Sequence, residues 1–297
     1  MLSLDPKELT VQRLHQLLLG AVGPRPIAFA STLDQNGNAN LAPFSFFNVF
    51  SANPPILVFS PARSGRTGQS KDTFNNAQAI PEVVINIVNY QMVHQMSLAS
   101  SPYAPDVDEF VKAGFTPLAS QKVAPYRVAE APVQFECKVN QIIELGQEGG
   151  AGNLIICEVV QLHIQEELIN EKGLIDQHQI DLVARMGGDW YCRANSSSMF
   201  EIKKPITTCG IGYDALPHDI KSSQVLSAND LGQLAGIEEL PNETDVNEYK
   251  LLELSSLFLE LEHNPSALEV ALHQRAHELL AQNSLEEAWL TLLSFNN

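Results

Sequence analysis

No stretch of this chain approaches eighteen consecutive apolar residues, so no transmembrane helix is expected. The N-terminus, Met1-Leu2-Ser3-Leu4-Asp5-Pro6, has no basic segment leading into an apolar run. No signal peptide is therefore expected, and the expected location is the cytoplasm. Positive charge is scarce: 18 Lys and Arg against 35 Asp and Glu, a formal net charge of −17. That argues against a nucleic-acid partner, which needs a basic face, and against an anionic membrane surface. Cysteine is limited to Cys137, Cys157, Cys192 and Cys209. No two of them form Cys-x-x-Cys and no histidine stands at zinc-finger spacing, so buried free thiols are expected at all four.

Several chemical signatures are also missing. Gly210-Ile211-Gly212 lacks the third glycine of a dinucleotide fingerprint, and no Gly-Lys-Ser/Thr or His-Glu-x-x-His occurs. No Ser-His-Asp triad or carboxylate pair stands out, so no catalytic side chain is assigned. His273 and His277 sit four apart on an expected helix, but no acidic partner completes a metal site. They are read as surface polar residues, and no metal is expected.

What is present is a globular composition over 297 residues, 44% of them hydrophobic, enough for a sizeable core. The charge is uneven. Residues 206–297 hold 15 acidic and three basic residues, so about −12 of the −17 lies there. Composition divides the chain near Pro205 into a nearly balanced body, 1–205, and an acidic extension, 206–297.

In the body, Asp5 and Pro6 suggest a helix start with Gly20 just past its end. Arg25 to Leu33 reads as a strand. Asp34-Gln35-Asn36-Gly37 is a hairpin turn, and Asn38 to Phe50 reads as one returning strand, with Pro43 implying a bulge or an edge. Ile56 to Ser60 and Val83 to Val88 read as further strands, with a helix capped by Asp72 between them. Residues 91–120 alternate short helical patterns with Pro-rich turns such as 101–105. Val133 to Leu145 and Leu154 to Gln165 form a long hairpin around a glycine-rich turn. Strands joined by tight turns point to an antiparallel sheet or barrel. In the extension, 206–246 reads as irregular, and 247–262, 265–282 and 284–294 read as helices.

Two segments carry chemistry. The loop from Arg63 to Thr73 leaves a buried strand and enters a helix. It gathers Arg63, Arg66 and Lys71 with glycines and hydroxyls. A helix start supplies free N–H groups and a positive dipole end suited to phosphate, to which Lys71 would add charge and Thr73 a hydroxyl. The other reading is a solvated loop. In the second segment, Asn40, Ser45 and Asn48 interleave with Phe44, Phe46 and Phe47. That pattern suits a flat heteroaromatic ring with polar edges, or a core strand.

In order, these segments and several others match a known pattern. They run from Pro24 to Thr32 and Asn40 to Asn48, through Asn53-Pro54-Pro55 and Lys71 to Asn76. Val83 to Asn86, Ser101-Pro102-Tyr103, Glu130 to Val133 and Arg185 to Tyr191 follow. The chain, over roughly residues 5–204, resembles the flavin reductase-like, FMN-binding split-barrel family, which includes flavoredoxin-type proteins. The resemblance implies a mainly β, α+β fold: a six-stranded antiparallel Greek-key split barrel with peripheral helices, here followed by a C-terminal helical extension. It implies a homodimer with FMN, or FAD, near the subunit interface. It also implies NADH or NADPH as donor of a hydride to the flavin, hence an NAD(P)H:flavin reductase. A flavoredoxin-like electron carrier reduced by a partner, or a non-catalytic flavin-binding module, are the alternatives. Carried over position by position, Lys71 and Thr73 hold the flavin phosphate, with Asp72 between them. Ser31 and Thr32 lie near the phosphate or ribityl chain. Ala42, Pro43, Phe44, Ser45, Phe46, Phe47 and Asn48 run along the ring. Arg185 and Gly187 stand where a nicotinamide approaches. Ser60 and Arg63 complete the expected cofactor-binding set. The acidic extension is expected to be a packed helical subdomain or a docking surface for a redox partner.

Overall fold

The computed structural model describes residues 1–104 and 107–296. Pro105, the end of the turn expected at 101–105, lies outside the described residues. The chain divides into two compact units, Met1–Phe200 and Glu201–Asn297.

The first unit is built on a seven-stranded sheet of β1 (Ala28–Leu33), β2 (Ala39–Phe44), β3 (Phe47–Ala52), β4 (Pro55–Phe59), β5 (Glu82–Ile87), β8 (Val133–Glu144) and β9 (Asn153–Ile164). A short pair, β6 (Pro117–Leu118) and β7 (Arg127–Val128), precedes β8, and a second pair, β10 (Val183–Arg185) and β11 (Tyr191–Arg193), follows β9. The spatial order is β2-β1-β5-β8-β9-β4-β3, antiparallel throughout. Strands β2 and β3 are thus the two edges, yet only Ser45 and Phe46 separate them in the chain. Laid flat, seven strands would span roughly 29 Å, whereas Phe44 to Phe47 reaches at most about 11 Å. The sheet must therefore curl until its edges nearly meet, which is a barrel split between β2 and β3.

The expected single strand over 38–50 is thus two strands, and this accounts for seven ladder strands where six were expected. Pro43 sits in edge strand β2, where a missing N–H faces no neighbour. The hairpin turn at 34–37 forms as read: Gly37 adopts φ 83° and donates to the Asp34 carbonyl at 3.0 Å, while Asp34 Oδ1 accepts from the Asn36 and Asn38 N–H groups.

Strand alternation sorts the core. Ala28, Ala30, Leu57, Phe59, Val83, Ile85, Cys137, Ile155 and Cys157 form one cluster drawn from five strands, the inward face. Phe29, between Ala28 and Ala30, points the other way. There it joins Leu41, Met92, Met96 and Phe110 under α3 (Val93–Leu98) and α4 (Glu109–Ala113). Helix α2 (Asp72–Ala79) contributes Ala77 to the inward cluster.

Four local readings need correction. Asp5 caps only a 3-10 turn over Pro6–Glu8. The helix proper, α1 (Val11–Ala21), is capped by Thr10 and includes Gly20. Lys71, not Asp72, is the N-cap of α2. Among the cysteines only Cys137 and Cys157 are buried; Cys192 is half-buried and Cys209 exposed. Burial pushes the Cys137 and Cys157 thiols well above the ordinary range.

The second unit is helical: α5 (His218–Lys221), α6 (Ala228–Leu234), α7 (Glu243–Glu253), α8 (Ser255–Glu260), α9 (Pro265–Ala281) and α10 (Leu285–Leu293). The segment read as irregular holds α5 and α6, and α6 starts in a capping box of Ser227 and Asp230. The helix expected over 247–262 breaks at Leu254, which is fully buried beside Leu268 and Leu272. A separate core forms around Trp289, Leu234, Leu280 and Leu292. His273 is buried, contrary to the surface reading, and shares a 2.7 Å hydrogen bond with Ser223. His277 reaches Asp230 at 2.9 Å. Among the described residues no helix is long and apolar enough to cross a membrane.

Candidate functional site

A cleft of about 430 Å³ opens beside the split in the barrel. The end of β2 and its link to β3 form one wall, from Ala42 through Pro43, Phe44, Ser45 and Phe46. The start of α2 supplies Lys71, Asp72 and Thr73, and Ser60 closes the end of β4. Opposite lie Ser100, Ser101, Pro102 and Tyr103 after α3, with Glu109 from α4, His15 and Leu19 from α1, and Arg185 from β10.

The α2 end is shaped for an anion. Lys71 extends into the N-cap position without a side-chain cap, so the first turn of the helix keeps outward N–H groups. The Lys71 ammonium has no carboxylate partner among the described residues. Thr73 is buried, and its hydroxyl accepts from Asn40 Nδ2 at 2.9 Å. The same Asn40 amide donates to Thr32 Oγ1 at 3.2 Å, which also accepts from Asn76 Nδ2 at 3.1 Å. Thr32 therefore stands beneath the cleft and positions Asn40 against α2. Asn40 is in the segment singled out by sequence, but its bridging role depends on β2 and α2 meeting.

The other end is apolar and aromatic. Phe46 meets the His15 ring edge-on at 6.2 Å, and Phe44 stacks inward on Phe59. Ser60 N–H donates to the Phe46 carbonyl at 2.8 Å, fixing the strand link against β4. Glu109 Oε2 accepts the Leu41 N–H at 3.0 Å. Burial, with help from Asp108 and Asp72, pushes its carboxyl above the usual range despite that hydrogen bond. His15, Ser100 and Glu109 gave no signal in the sequence, since each reaches the cleft only by tertiary packing. Tyr103 belonged to a motif of the resemblance without a role.

Six expected residues lie outside the cleft wall. Ser31 is buried on the face of β1 opposite Thr32, and its hydroxyl has no protein partner. Thr32 is buried as described. Phe47 packs with the inward cluster. Asn48 is exposed and turns its side-chain oxygen to the Val49 N–H at 2.8 Å. Arg63 pairs with Glu144 at 2.8 Å and also reaches Gln147. Gly187 lies backbone to backbone with Gly20, where an added Cβ would come within 3.1 Å of the Gly20 Cα.

The donor set fits a flavin mononucleotide. It places a free ammonium and a helix start at one end, aromatic and proline walls at the other, and hydroxyls between. The volume is in the range of small-molecule sites.

A family model described as a flavin reductase like domain matches residues 21–180, wholly within the first unit. An uncharacterized protein of Halalkalibacterium halodurans is 36% identical over 206 residues, 69% of this chain and 97% of that protein. Among solved structures, nitrilotriacetate monooxygenase component B from Bacillus cereus is 33% identical with a TM-score of 0.64, covering 68% of this chain and 98% of that one. The 2-nitrobenzoate 2-nitroreductase of Pseudomonas fluorescens is 28% identical with a TM-score of 0.63, covering 71% of this chain and all of that one.

Proposed function

The chain belongs to the flavin reductase-like domain family, a family of flavin-related oxidoreductases, and from that premise we propose that it is an NAD(P)H-dependent flavin reductase holding FMN in the cleft between β2 and α2. The observation that carries this reading is the unpaired Lys71 ammonium at the uncapped start of α2, facing a cleft whose far wall is Pro43, Phe44 and Phe46. When bound, the flavin supplies a ring that takes up and passes on an electron pair.

The chain's own residues bind and orient. Lys71, the α2 N–H groups and the Thr73 hydroxyl would take the phosphate. Asn40, held by Thr32 and Thr73, would fix the polar chain between phosphate and ring. Ser45 and the backbone of the β2–β3 link would meet the polar edge of the ring, while Pro43 and Phe46 keep water from its flank. Arg185 would border the open side, where the nicotinamide of NADH or NADPH enters. No side chain needs to act as nucleophile or general base, because the electron pair is carried by the flavin ring.

A homodimer is part of the proposal. Helix α1 buries none of its residues and exposes Val11, Leu17 and Leu18, its C-cap Val22 is exposed too, and edge strand β3 exposes Val49 and Phe50. Exposed apolar surface on these two elements supports burial by a second copy. We assign this activity to a split-barrel domain spanning 1–205, acting in the cytoplasm, and to the acidic extension, 206–297, the role of a packed helical subdomain with cores of its own, the docking of a redox partner being the alternative.

The test is Lys71→Ala. FMN affinity should fall about ten- to a hundredfold and riboflavin affinity should hardly change, because only FMN carries the phosphate. Equal loss for both overturns the phosphate assignment. Oxidation of NADH or NADPH by the FMN-loaded protein tests the donor, and no oxidation of either would make the chain an electron carrier instead.

A further inference from the structure

Beside the main cleft lies a second, smaller cavity of about 230 Å³. It shares Pro43, Ser45, Ser100 and Arg185 with the cleft, and adds Ile27 and Met96 as its floor with Ser97 and Tyr191 on its sides. Its chemistry differs from that of the phosphate end. Among the described residues no acidic side chain lines it, and its only cation is Arg185.

Arg185 is held in place on several sides. Its guanidinium lies over the Tyr191 ring, 4.6 Å from the centroid, and one Nη donates to the Gly188 carbonyl at 2.8 Å. Its backbone exchanges two 2.9 Å hydrogen bonds with Arg25. Neither arginine has a carboxylate partner among the described residues. In a chain with 35 acidic residues, two adjacent unpaired guanidiniums are a local surplus of positive charge. The remaining Arg185 N–H groups and the hydroxyl of Ser97 can donate into the cavity, while Ile27, Met96, Pro43 and Tyr191 supply apolar contact.

We propose that this cavity binds a small organic monocarboxylate, its carboxylate on Arg185 and the Ser97 hydroxyl and its apolar body against Ile27, Met96 and Tyr191. The inference extends the proposed function, and rests on it only for what the ligand lies beside. Three features favour a carboxylate over a phosphate. The planar guanidinium matches a planar carboxylate. One guanidinium neutralises a single negative charge. Ser97 and Ser100 sit at the C-terminal end of α3, the negative end of its dipole, which disfavours a dianion. The volume is below that of drug-sized sites and suits a single ring or a short chain.

The test is calorimetric titration of benzoate into the full chain loaded with FMN, beside benzamide and inorganic phosphate. Benzoate should bind once per chain, benzamide at least tenfold more weakly, and phosphate should not displace benzoate. Arg185→Gln should weaken benzoate at least tenfold. Ser97→Ala, at an exposed position on α3, should weaken it severalfold and guards against a folding defect in the first variant. Equal affinity for benzoate and benzamide, displacement by phosphate, or indifference to both substitutions would overturn the proposal. The two readings fail separately. Yellow, FMN-loaded protein that ignores benzoate sinks this inference alone. Protein that takes up no FMN sinks the flavin reading, and benzoate titration of the flavin-free chain then decides the carboxylate site by itself.

Discussion

Arg25 and Arg185 are joined backbone to backbone by paired 2.9 Å hydrogen bonds, and the buried Arg25 guanidinium then ties down three further carbonyl oxygens. Its Nη1 donates to Leu19 and Val22 at the end of α1, and its Nη2 to Met186 at 2.8 Å. Burial, and the charge of Arg185 next to it, push the Arg25 pKa down. One side chain thus fastens α1, the approach to β1 and the β10 turn, all of which border the cleft.

Arg25→Met should therefore destabilise the first unit by at least about 2 kcal/mol, since it strands buried acceptors that a charged donor had satisfied. The check is urea unfolding followed by Trp190 fluorescence in a Trp289→Phe background. An unchanged midpoint would contradict the fastening role.

Glu136 is buried on β8 and accepts the Gln121 and Lys122 N–H groups at 2.9 and 2.6 Å and the His163 ring at 2.7 Å. Burial opposes its ionisation, but these partners together hold its carboxyl below the usual value. With the folded pKa depressed, its contribution is complete above the unfolded value, about 4.5, and is lost as pH falls through the folded one. Glu136→Gln presents an amide to two N–H donors and should cost about 3 kcal/mol at neutral pH. The cost should shrink in acid, as thermal unfolding at pH 7 and pH 3.5 would reveal.

Trp289 is fully buried in the second unit and its Nε1 donates to the Leu234 carbonyl at 3.2 Å. Trp289→Ala leaves a large cavity and should cost that unit about 3–5 kcal/mol. Far-ultraviolet circular dichroism should lose its helical transition at lower temperature than in the parent chain.

His273 holds a proton less readily than a free imidazole. Burial lowers its pKa and outweighs the pull of Glu269 and Asp219. Below the unfolded value of about 6.5 the unfolded chain binds more protons, so stability of the second unit should fall as pH drops from about 6.5 towards the folded pKa and then level off. His273→Gln, which can still reach Ser223, should flatten that slope. A parent melting temperature equal at pH 7.5 and 5.5, read from Trp289 fluorescence, would refute the assignment.

Much of the fold was legible because it is local. The Asp34–Gly37 turn declares itself through a residue free to take positive φ, and the long β8–β9 hairpin through two twelve-residue strands around a glycine-rich turn. The break at Ser45-Phe46 was not legible. The run 38–50 is uniformly strand-like, and only closure of the barrel makes its halves pair with β1 and with β4. Leu254 was likewise hidden, because helical spacing continues smoothly through the point where the core turns the chain.

Of the candidate site, the sequence determined which residues could take a phosphate and flank a ring, because charge, hydroxyls and aromatics cluster there within a few positions. Tertiary structure decided which of them line one space. It turned Arg63 away to Glu144 and Asn48 to its own backbone. It brought in Glu109, Ser100 and His15 from segments with no common pattern. It also set Arg185 beside Arg25 with no acid among the described residues to pair either. Periodicity and capping act over one or two turns of chain, whereas a cleft is made by distant strands and helices whose packing alone sets which side chains meet.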